Sequence, residues 1–437
     1  MPILYFMIVL AVNASESVGS AQTLNLQTAV TEGLSRSPVV QKAESKVREN
    51  KWQKREAFSH FLPSISASAI YLTNERDVQT DINFGGSPVS VPQILPKSNF
   101  VISAQLPIFE GGAGTKRYLG QVALAASASD EFLWTQFKVA REIMLQYDRS
   151  LAAIILKDVA AQNVNALEDH LREVKLFKKA GIATNFDVLK VEVQASEAHS
   201  ELLSKEDDVI IQHHKLNEIM GIENDAREIT GELPILSEEL IKGKNLTVTA
   251  TRHDLSALSH RAEAMRDFDS AASRYWSPRI GFFGQYQYYN NRSDSLDARD
   301  EYRDAYQAGL QLTWNLFDGM SSISKSHVAA EQAYQAERSL RQAQLHSNQD
   351  IELWRRKFIY NCNVFRSRQD EVKKATESVR LAAQGRKVGT RTNTDLLDAE
   401  NELYRAKAGL VNAQLGSVEA LINLELATGE EIYNFIK

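Results

Sequence analysis

The chain of 437 residues contains a single cysteine, Cys362, so it can form neither an intrachain disulfide nor a multi-cysteine metal site. We interpret this cysteine, which falls in a helical pattern, as a small buried apolar residue. The net charge is -6, which leaves no basic excess to neutralise phosphates and argues against nucleic-acid binding. After the N-terminus no segment approaches the roughly 18 apolar residues of a membrane-spanning helix, so any membrane crossing would have to use strands.

The N-terminus contains one short apolar run, from Ile3 to Val12. This run is too short to span a membrane and is typical of the core of a secretory signal, which predicts a signal peptide over residues 1–21. Small residues suitable for cleavage follow at Ala14 and Ala21. No lysine or arginine precedes the run, which departs from the usual signal pattern, and a buried N-terminal strand is the alternative.

Three motifs occur twice at one constant spacing of 208 residues. The pairs are Phe109-Glu110-Gly111 and Phe317-Asp318-Gly319, Gly181 to Leu189 and Gly389 to Leu397, and Gly221 and Gly429. A constant spacing without insertions indicates an internal duplication. We divide the chain into a first repeat over residues 22–229 and a second over 252–437. Residues 230–251 between them read as a linker or a small side domain.

Each repeat contains a proline-free stretch between its Phe-acid-Gly motif and its later glycine motif. A continuous helix of that length would reach roughly 105 Å. Apolar residues recur at intervals of three, four and seven, as in a coiled coil, and the pattern resumes after the glycine. We therefore predict a long antiparallel helical hairpin in each repeat, with tips at residues 181–187 and 389–395.

Before each helical hairpin, apolar and polar residues alternate over two segments, which predicts β-hairpins at residues 63–109 and 277–318. The best case runs from Tyr306 to Leu316. Any one strand could also belong to a soluble β-sandwich, but aromatic residues at the strand ends favour a membrane interface. Four strands cannot close a barrel, so the chain is expected to oligomerise. Residues 73–97 and 290–304 are predicted to be surface loops.

Together these features resemble the TolC family of outer-membrane factors, over Leu26 to about Gly429. The segment from Val388 to Ala399 is similar to the family's second hairpin turn, and the first-repeat turn from Gly181 to Leu189 matches more loosely. The resemblance implies a mixed fold of α-helices and membrane β-strands, in which a homotrimer forms a 12-stranded β-barrel and a coiled-coil periplasmic tunnel. It also implies two partners, a periplasmic adaptor protein and an inner-membrane transporter, of the ABC or proton-driven type.

The resemblance further implies roles for residues near the tips. Asp395 and Asp398 match positions that line the narrowest aperture, where three copies would form a carboxylate ring. Asp187 and Arg391 match a pair that ties the tips together in the closed state. Arg386 stands where many members have tyrosine, so the closing network is expected to include more ion pairs. Ordinary helix capping is the alternative explanation for these residues.

Six tip residues match positions where the adaptor docks in the family: Gly181, Ile182, Ala183, Val388, Gly389 and Thr390. A tight turn between antiparallel helices would also require glycine there, and both explanations can hold.

The sequence contains no nucleotide-binding loop and no His-Glu-x-x-His, Gly-x-Ser-x-Gly or Cys-x-x-Cys motif, so we expect neither an enzyme nor a cofactor. His213 and His214 are adjacent on a predicted helix and point about 100° apart, so they cannot share a metal. The expected function is a passive outer-membrane export channel for drugs, metals or, by type I secretion, proteins. The alternative is a secreted coiled-coil scaffold that conducts nothing.

Overall fold

The computed structural model describes residues 23–73, 78–84, 87–93, 96–244, 246–247, 252–291, 296–297 and 299–434. The predicted signal peptide lies outside these residues. The chain divides into two compact units. Of the described residues, those within 1–41, 136–249 and 348–437 form the hairpin unit, and those within 42–135 and 250–347 form the sheet unit. Each unit takes segments from both sequence repeats, so the two repeats do not fold as separate units.

Seven α-helices occur in the described residues. They are α1 (Leu26–Arg36), α2 (Pro38–Ser59), α3 (Ala113–Lys179), α4 (Asn185–Met220), α5 (His253–Ala272), α6 (Ser321–Lys387) and α7 (Asn393–Thr428). Short 3-10 turns span Glu238–Leu240 and Arg299–Glu301. None of the helices in the described part of the chain combines the length and the apolar character needed to cross a membrane.

The helix boundaries reproduce the repeat. The ends of α6 and α7, at 321, 387, 393 and 428, lie 208 residues after those of α3 and α4, at 113, 179, 185 and 220. Glycines in the left-handed conformation end α4 and α7, Gly221 with φ 72° and Gly429 with φ 78°. Only a residue without Cβ adopts this conformation readily, so these glycines fix where the helices stop.

Six strands are described: β1 (Ser64–Tyr71), β2 (Val78–Phe84), β3 (Ser87–Gln93), β4 (Ser98–Phe109), β5 (Arg279–Asn290) and β6 (Arg303–Thr313). Four of them form an antiparallel sheet in the order β1-β4-β5-β6. The predicted alternation lines up across this sheet. One row reads Ala67, Ile102, Tyr286 and Tyr306, and the next reads Ser66, Ser103, Gln285 and Gln307.

One face of the four-stranded sheet is therefore apolar and the other polar, because side chains alternate between faces along each strand. On the polar face, Gln307 donates a hydrogen bond to Gln285 at 2.8 Å, and Gln287 donates to Asn99 at 2.9 Å. On the apolar face, Tyr306 is 83% exposed in the single chain. The sheet thus offers one surface suited to hydrocarbon and one suited to water.

Two details of the four-stranded sheet differ from the sequence prediction. The alternation predicted through Leu316 stops at Thr313, because its partner strand β5 begins at Arg279, directly after a proline. A register shift between Pro107 and Phe109 places Phe109, rather than Ile108, opposite Ile280. Such a bulge adds one residue to a strand and leaves no clear trace in hydrophobic alternation.

The segment 73–97 was predicted to be a loop, but it contains the separate hairpin β2–β3. Its prolines suggested a loop because proline cannot donate a ladder hydrogen bond. Pro88 and Pro92 nevertheless pair with Asn83 and Gln79. Since the two prolines are four residues apart, their nitrogens point the same way, and a two-stranded ribbon has a free outer edge that tolerates both.

The core of the hairpin unit surrounds α3 and the C-terminal parts of α4 and α7. Ile143, Tyr147, Leu216 and Leu421 are among its fully buried side chains. The segment that follows α4 returns over this core, where Leu233, Leu236 and Ile241 are buried. Gln414 on α7 donates a hydrogen bond to the carbonyl of Leu233 at 2.8 Å. In the structure this segment packs on the hairpin unit and does not form a compact unit of its own.

The helices of the sheet unit contact each other through polar, aromatic and small side chains. Lys116 on α3 pairs with Asp267 on α5 at 2.7 Å. The hydroxyl of Ser127 donates a hydrogen bond to the carbonyl of Ala257 at 2.7 Å. Phe58 on α2 packs against Tyr118 on α3 with ring centroids 5.9 Å apart. Alanine and glycine are frequent at these contacts, which allows close approach of the helices.

Candidate functional site

The two helical hairpin tips have the same construction, and both belong to the hairpin unit. Gly181 has φ 76° in the turn between α3 and α4, and Gly389 has φ 77° in the turn between α6 and α7. A Cβ added at either glycine would meet nothing within 4 Å. The left-handed backbone, rather than crowding, is what requires glycine at both tips.

A capping box follows each turn. Thr184 and Thr392 are the N-caps of α4 and α7. The Thr392 backbone N–H donates to the Asp395 carboxylate at 2.8 Å, and the Asp395 backbone N–H donates to the Thr392 hydroxyl at 3.1 Å. Thr184 and Asp187 make the same two bonds at 2.8 and 3.1 Å. Helix capping, considered as an alternative from the sequence, is therefore present at Asp187 and Asp395.

These hydrogen bonds set the charge state of the two acids. Bonds from the backbone and side chain of Thr392, with a smaller contribution from Arg391, hold the pKa of Asp395 below its usual value. Bonds from Thr184 do the same for the pKa of Asp187. Both carboxylates are consequently ionised at neutral pH within the single chain.

Two further residues with predicted roles at the tips, Asp398 and Arg391, lie near Asp395 in the chain. Asp398 is exposed and lies three residues further along α7, so both acids occupy neighbouring positions on the helix surface. The Arg391 backbone N–H donates to the carbonyl of Gly385 at 3.2 Å. Across the described residues of this one chain, no ion pair joins Asp187 to Arg391, so their role in closing the tips stays a prediction.

The six residues predicted to dock an adaptor lie at the turns, and most are exposed. Ile182 is 75% exposed and Val388 is 74% exposed. The turn backbones are well bonded: the N–H of Ile182 donates to Phe177 at 2.9 Å, and that of Thr390 to Gly385 at 2.8 Å. Each tip therefore presents a large apolar side chain on a fixed backbone.

Arg386, predicted to belong to the network that closes the tips, joins the two hairpins of this chain. Its side chain is only 9% exposed and pairs with Glu173 of α3. The guanidinium also donates a weak hydrogen bond to Asn393 at 3.4 Å and lies over the ring of Phe177, 5.6 Å from its centroid. Burial lowers the pKa of Arg386. Arg386 thus forms an ion pair that connects α6 to α3. Its part in closing the tips stays a prediction.

Sequence reasoning missed His170, which lies beside this contact and is 3% exposed. One ring nitrogen is 2.8 Å from the Glu400 carboxylate and the other is 2.6 Å from the Asn393 side-chain oxygen. The matching position of the second repeat is Ser378, but most positions of α3 and α6 differ between the repeats, so this difference gave no signal.

Two helical hairpins with equivalent tips, together with one amphipathic four-stranded sheet, define a duplicated protein of mixed helix and strand. The sequence matches the outer membrane efflux protein family over residues 29–222 and 247–430, and the chain belongs to this family. It is accordingly a protein of the outer membrane with a periplasmic helical part.

Individual relatives agree with this assignment. The chain is 24% identical over 315 residues to the outer membrane protein TolC of Vibrio cholerae, covering 68% of this chain and 72% of TolC. The crystal structure of VceC from Vibrio cholerae shares the fold with a TM-score of 0.77 at 16% identity, covering 93% of this chain and 97% of VceC. The outer-membrane channel OprN aligns with a TM-score of 0.76 at 17% identity, covering 93% and 90%.

Proposed function

We propose that this chain is one subunit of a homotrimeric outer-membrane channel that exports substrates passively. A periplasmic adaptor and an inner-membrane transporter would supply the substrate and the energy. The observation that carries the proposal is the amphipathic sheet. Most apolar positions of its four strands lie on one face and most polar positions on the other, with Ile70, Val101 and Phe283 as exceptions on the polar face. A sheet with this pattern is suited to separate lipid from a water-filled interior.

The edges of the sheet support association of several copies. Within the described part of the chain, β1 pairs only with β4 and β6 only with β5, so each outer strand has one free edge. Unpaired backbone groups are costly in hydrocarbon, and four strands are too few to curve into a closed barrel. Pairing of β6 with β1 of another copy removes both edges, and three copies give twelve strands.

The hairpin tips are the proposed point of contact with an adaptor. Exposed Ile182 and Val388 occupy the two turns, and Phe186, one helical turn further, is 72% exposed. Single exposed apolar residues are ordinary, but three such side chains lie close together in sequence at the ends of the two hairpins, although they do not occupy equivalent positions. A partner that inserts apolar side chains between adjacent tips would recognise this arrangement.

Asp395 and Asp398 are the proposed aperture residues. Asp398 makes no hydrogen bond or ion pair with the described residues, and Asp395 uses one carboxylate oxygen in its cap. If three copies bring these acids around a common axis, they form a ring of negative charge that attracts cations. Mutual repulsion in such a ring would raise some of the pKa values above those of the single chain.

The alternative is a secreted scaffold made of the same helices. Such a protein needs no amphipathic sheet with matched faces on four strands. The two functions can be separated by extraction, because a scaffold bound at a surface is released by salt or high pH, whereas a channel requires detergent.

The proposal is tested by reconstitution of the detergent-purified protein into planar lipid bilayers. We expect discrete conductance steps of uniform size. Protein that reaches the outer membrane fraction and inserts, yet gives no conductance above the bare bilayer, would favour the scaffold.

A further inference from the structure

A cavity of about 580 Å³ lies in the hairpin unit. Its walls come from the start of α1, the middle of α3, the segment that follows α4, and the last described residues. Leu26, Leu151 and Pro234 contribute apolar surface to the walls. Cavities of this size and character hold small organic molecules in many proteins.

Asp148 on α3 lines this cavity and is only 2% exposed. Its Oδ2 atom is buried and has no hydrogen-bond partner in the part of the chain that the structure describes. The adjacent Tyr147 does not satisfy it, since the tyrosine hydroxyl bonds to the carbonyls of Leu24 and Thr230. A buried carboxyl group without a partner is unfavourable, and a positively charged donor in the cavity would offset that cost.

Among the described residues that line the cavity, the charges are of one sign. Besides Asp148, the only charged residue among them is Glu232, which lies exposed at the rim. Tyr147 and Tyr433 are the other titratable groups in the lining, and no lysine, arginine or histidine is among these residues. The cavity therefore repels anions and attracts cations.

We propose that this cavity binds an organic cation, a protonated amine attached to an apolar body, with Asp148 as its counter-ion. The ammonium group donates hydrogen bonds to the Asp148 carboxylate, while the apolar body packs against Leu26, Leu151 and Pro234. Glu232 attracts the cation at the entrance. The site requires only the folded hairpin unit, so the proposal does not rest on channel activity.

The affinity of this site should depend on pH. Burial raises the pKa of Asp148 to about 7, and the cation pairs with the ionised form. Below that pH a proton must leave before the ion pair forms, so affinity falls as pH decreases. Glu232, Tyr147 and Tyr433 are the other titratable groups among the described residues that line the cavity with Asp148.

The test is calorimetric titration of the purified full-length protein with phenylbutylammonium, and in parallel with the neutral phenylbutanol. We expect the amine to bind the wild-type protein at about pH 8 with roughly ten-fold or greater preference over the alcohol. Asp148→Asn should remove that preference, and Glu232→Gln should weaken amine binding by only about two-fold, as a rim charge is largely screened.

Two results would overturn the proposal: equal affinity of the wild-type protein for amine and alcohol, or no measurable amine binding. An Asp148→Asn protein that folds, by circular dichroism, and keeps its preference for the amine would do the same. Should that variant not fold, the wild-type protein alone decides, because an amine affinity that does not change between about pH 5 and pH 8 contradicts a carboxylate counter-ion.

Discussion

At the scale of single residues, two buried acids differ in whether hydrogen bonds compensate the burial of their carboxyl groups. Glu425 on α7 is fully buried, and its carboxylate pairs with Arg141 at 3.0 Å. It also accepts hydrogen bonds from the backbone N–H groups of Ile432 and Tyr433. Asp148 is almost as buried and makes no such bond. Glu425 connects the residues that follow α7 to α3. Asp148 lowers the stability of the folded state unless a ligand pairs with it.

The Asp148 carboxyl group should make stability fall with rising pH. Its pKa is raised from 3.8 to about 7 by burial, so between these values the folded state holds a proton that the unfolded state has released. The cost grows through that range and reaches on the order of 4 kcal/mol above it. We expect Asp148→Asn to raise the thermal midpoint at about pH 8 and to have little effect near pH 4.

The matched control is Asp158→Asn, which changes a largely exposed acid on the same helix. It should leave the midpoint unchanged at both pH values. An Asp148→Asn protein that is no more stable than wild type at pH 8 would show that the carboxyl group is not desolvated.

The buried ion pair at the chain end should be far more sensitive to substitution than an exposed pair nearby. Arg141→Ala leaves Glu425 as an uncompensated buried charge, so we expect a loss of roughly 3–5 kcal/mol in the free energy of unfolding. The comparison is Arg149→Ala, which removes a half-exposed pair with Glu419 from the same helix and should cost less than about 1 kcal/mol. Denaturant titration in detergent measures both, and similar losses would contradict the account.

At the scale of elements, the turn chemistry of the hairpins was the most predictable feature. The glycine and threonine positions of the tips recur at one spacing, and the structure gives both tips the same left-handed glycine and the same capping box. The hydrophobic alternation likewise indicated which strand residues share a face. These features depend on residues that are close in sequence, so short sequence patterns predict them.

Other elements could not be predicted because they depend on distant partners. The end of β6 at Thr313 is set by where β5 begins, and the shift at Phe109 by the fit of β4 against β5. His170 meets Glu400 and Asn393 across more than 200 residues of chain. The cavity at Asp148 brings together four separate segments, so no sequence motif marks it.

The two capping boxes should have equal effects on their helices. Thr184→Ala and Thr392→Ala each remove the hydroxyl that accepts the third N–H of the helix, at an expected cost of about 0.5–2 kcal/mol. The loss should appear as faster hydrogen exchange in the first turns of α4 and α7. Thr376→Ala provides the control, because that hydroxyl bonds only to the carbonyl of Val372 within α6. Equal exchange in all three variants would count against the caps.

At the scale of the whole molecule, the proposed aperture predicts ion selectivity. Asp395→Asn and Asp398→Asn remove the carboxylates of the proposed ring, and asparagine at position 395 keeps an oxygen for the cap. We expect cation preference in planar-bilayer recordings to decrease in each variant and most in the double variant. Asp207→Asn, an exposed acid on α4 away from the tips, should keep the wild-type reversal potential. Unchanged selectivity in the double variant would remove both residues from the aperture.

The central claim is that several copies of this chain close the sheet by joining β6 of one copy to β1 of the next. Native mass spectrometry of the protein extracted from outer membranes in mild detergent measures the number of copies directly. The account predicts a single species of three chains, which supplies twelve strands. A stable monomer in detergent that retains the strand signal in circular dichroism would contradict it.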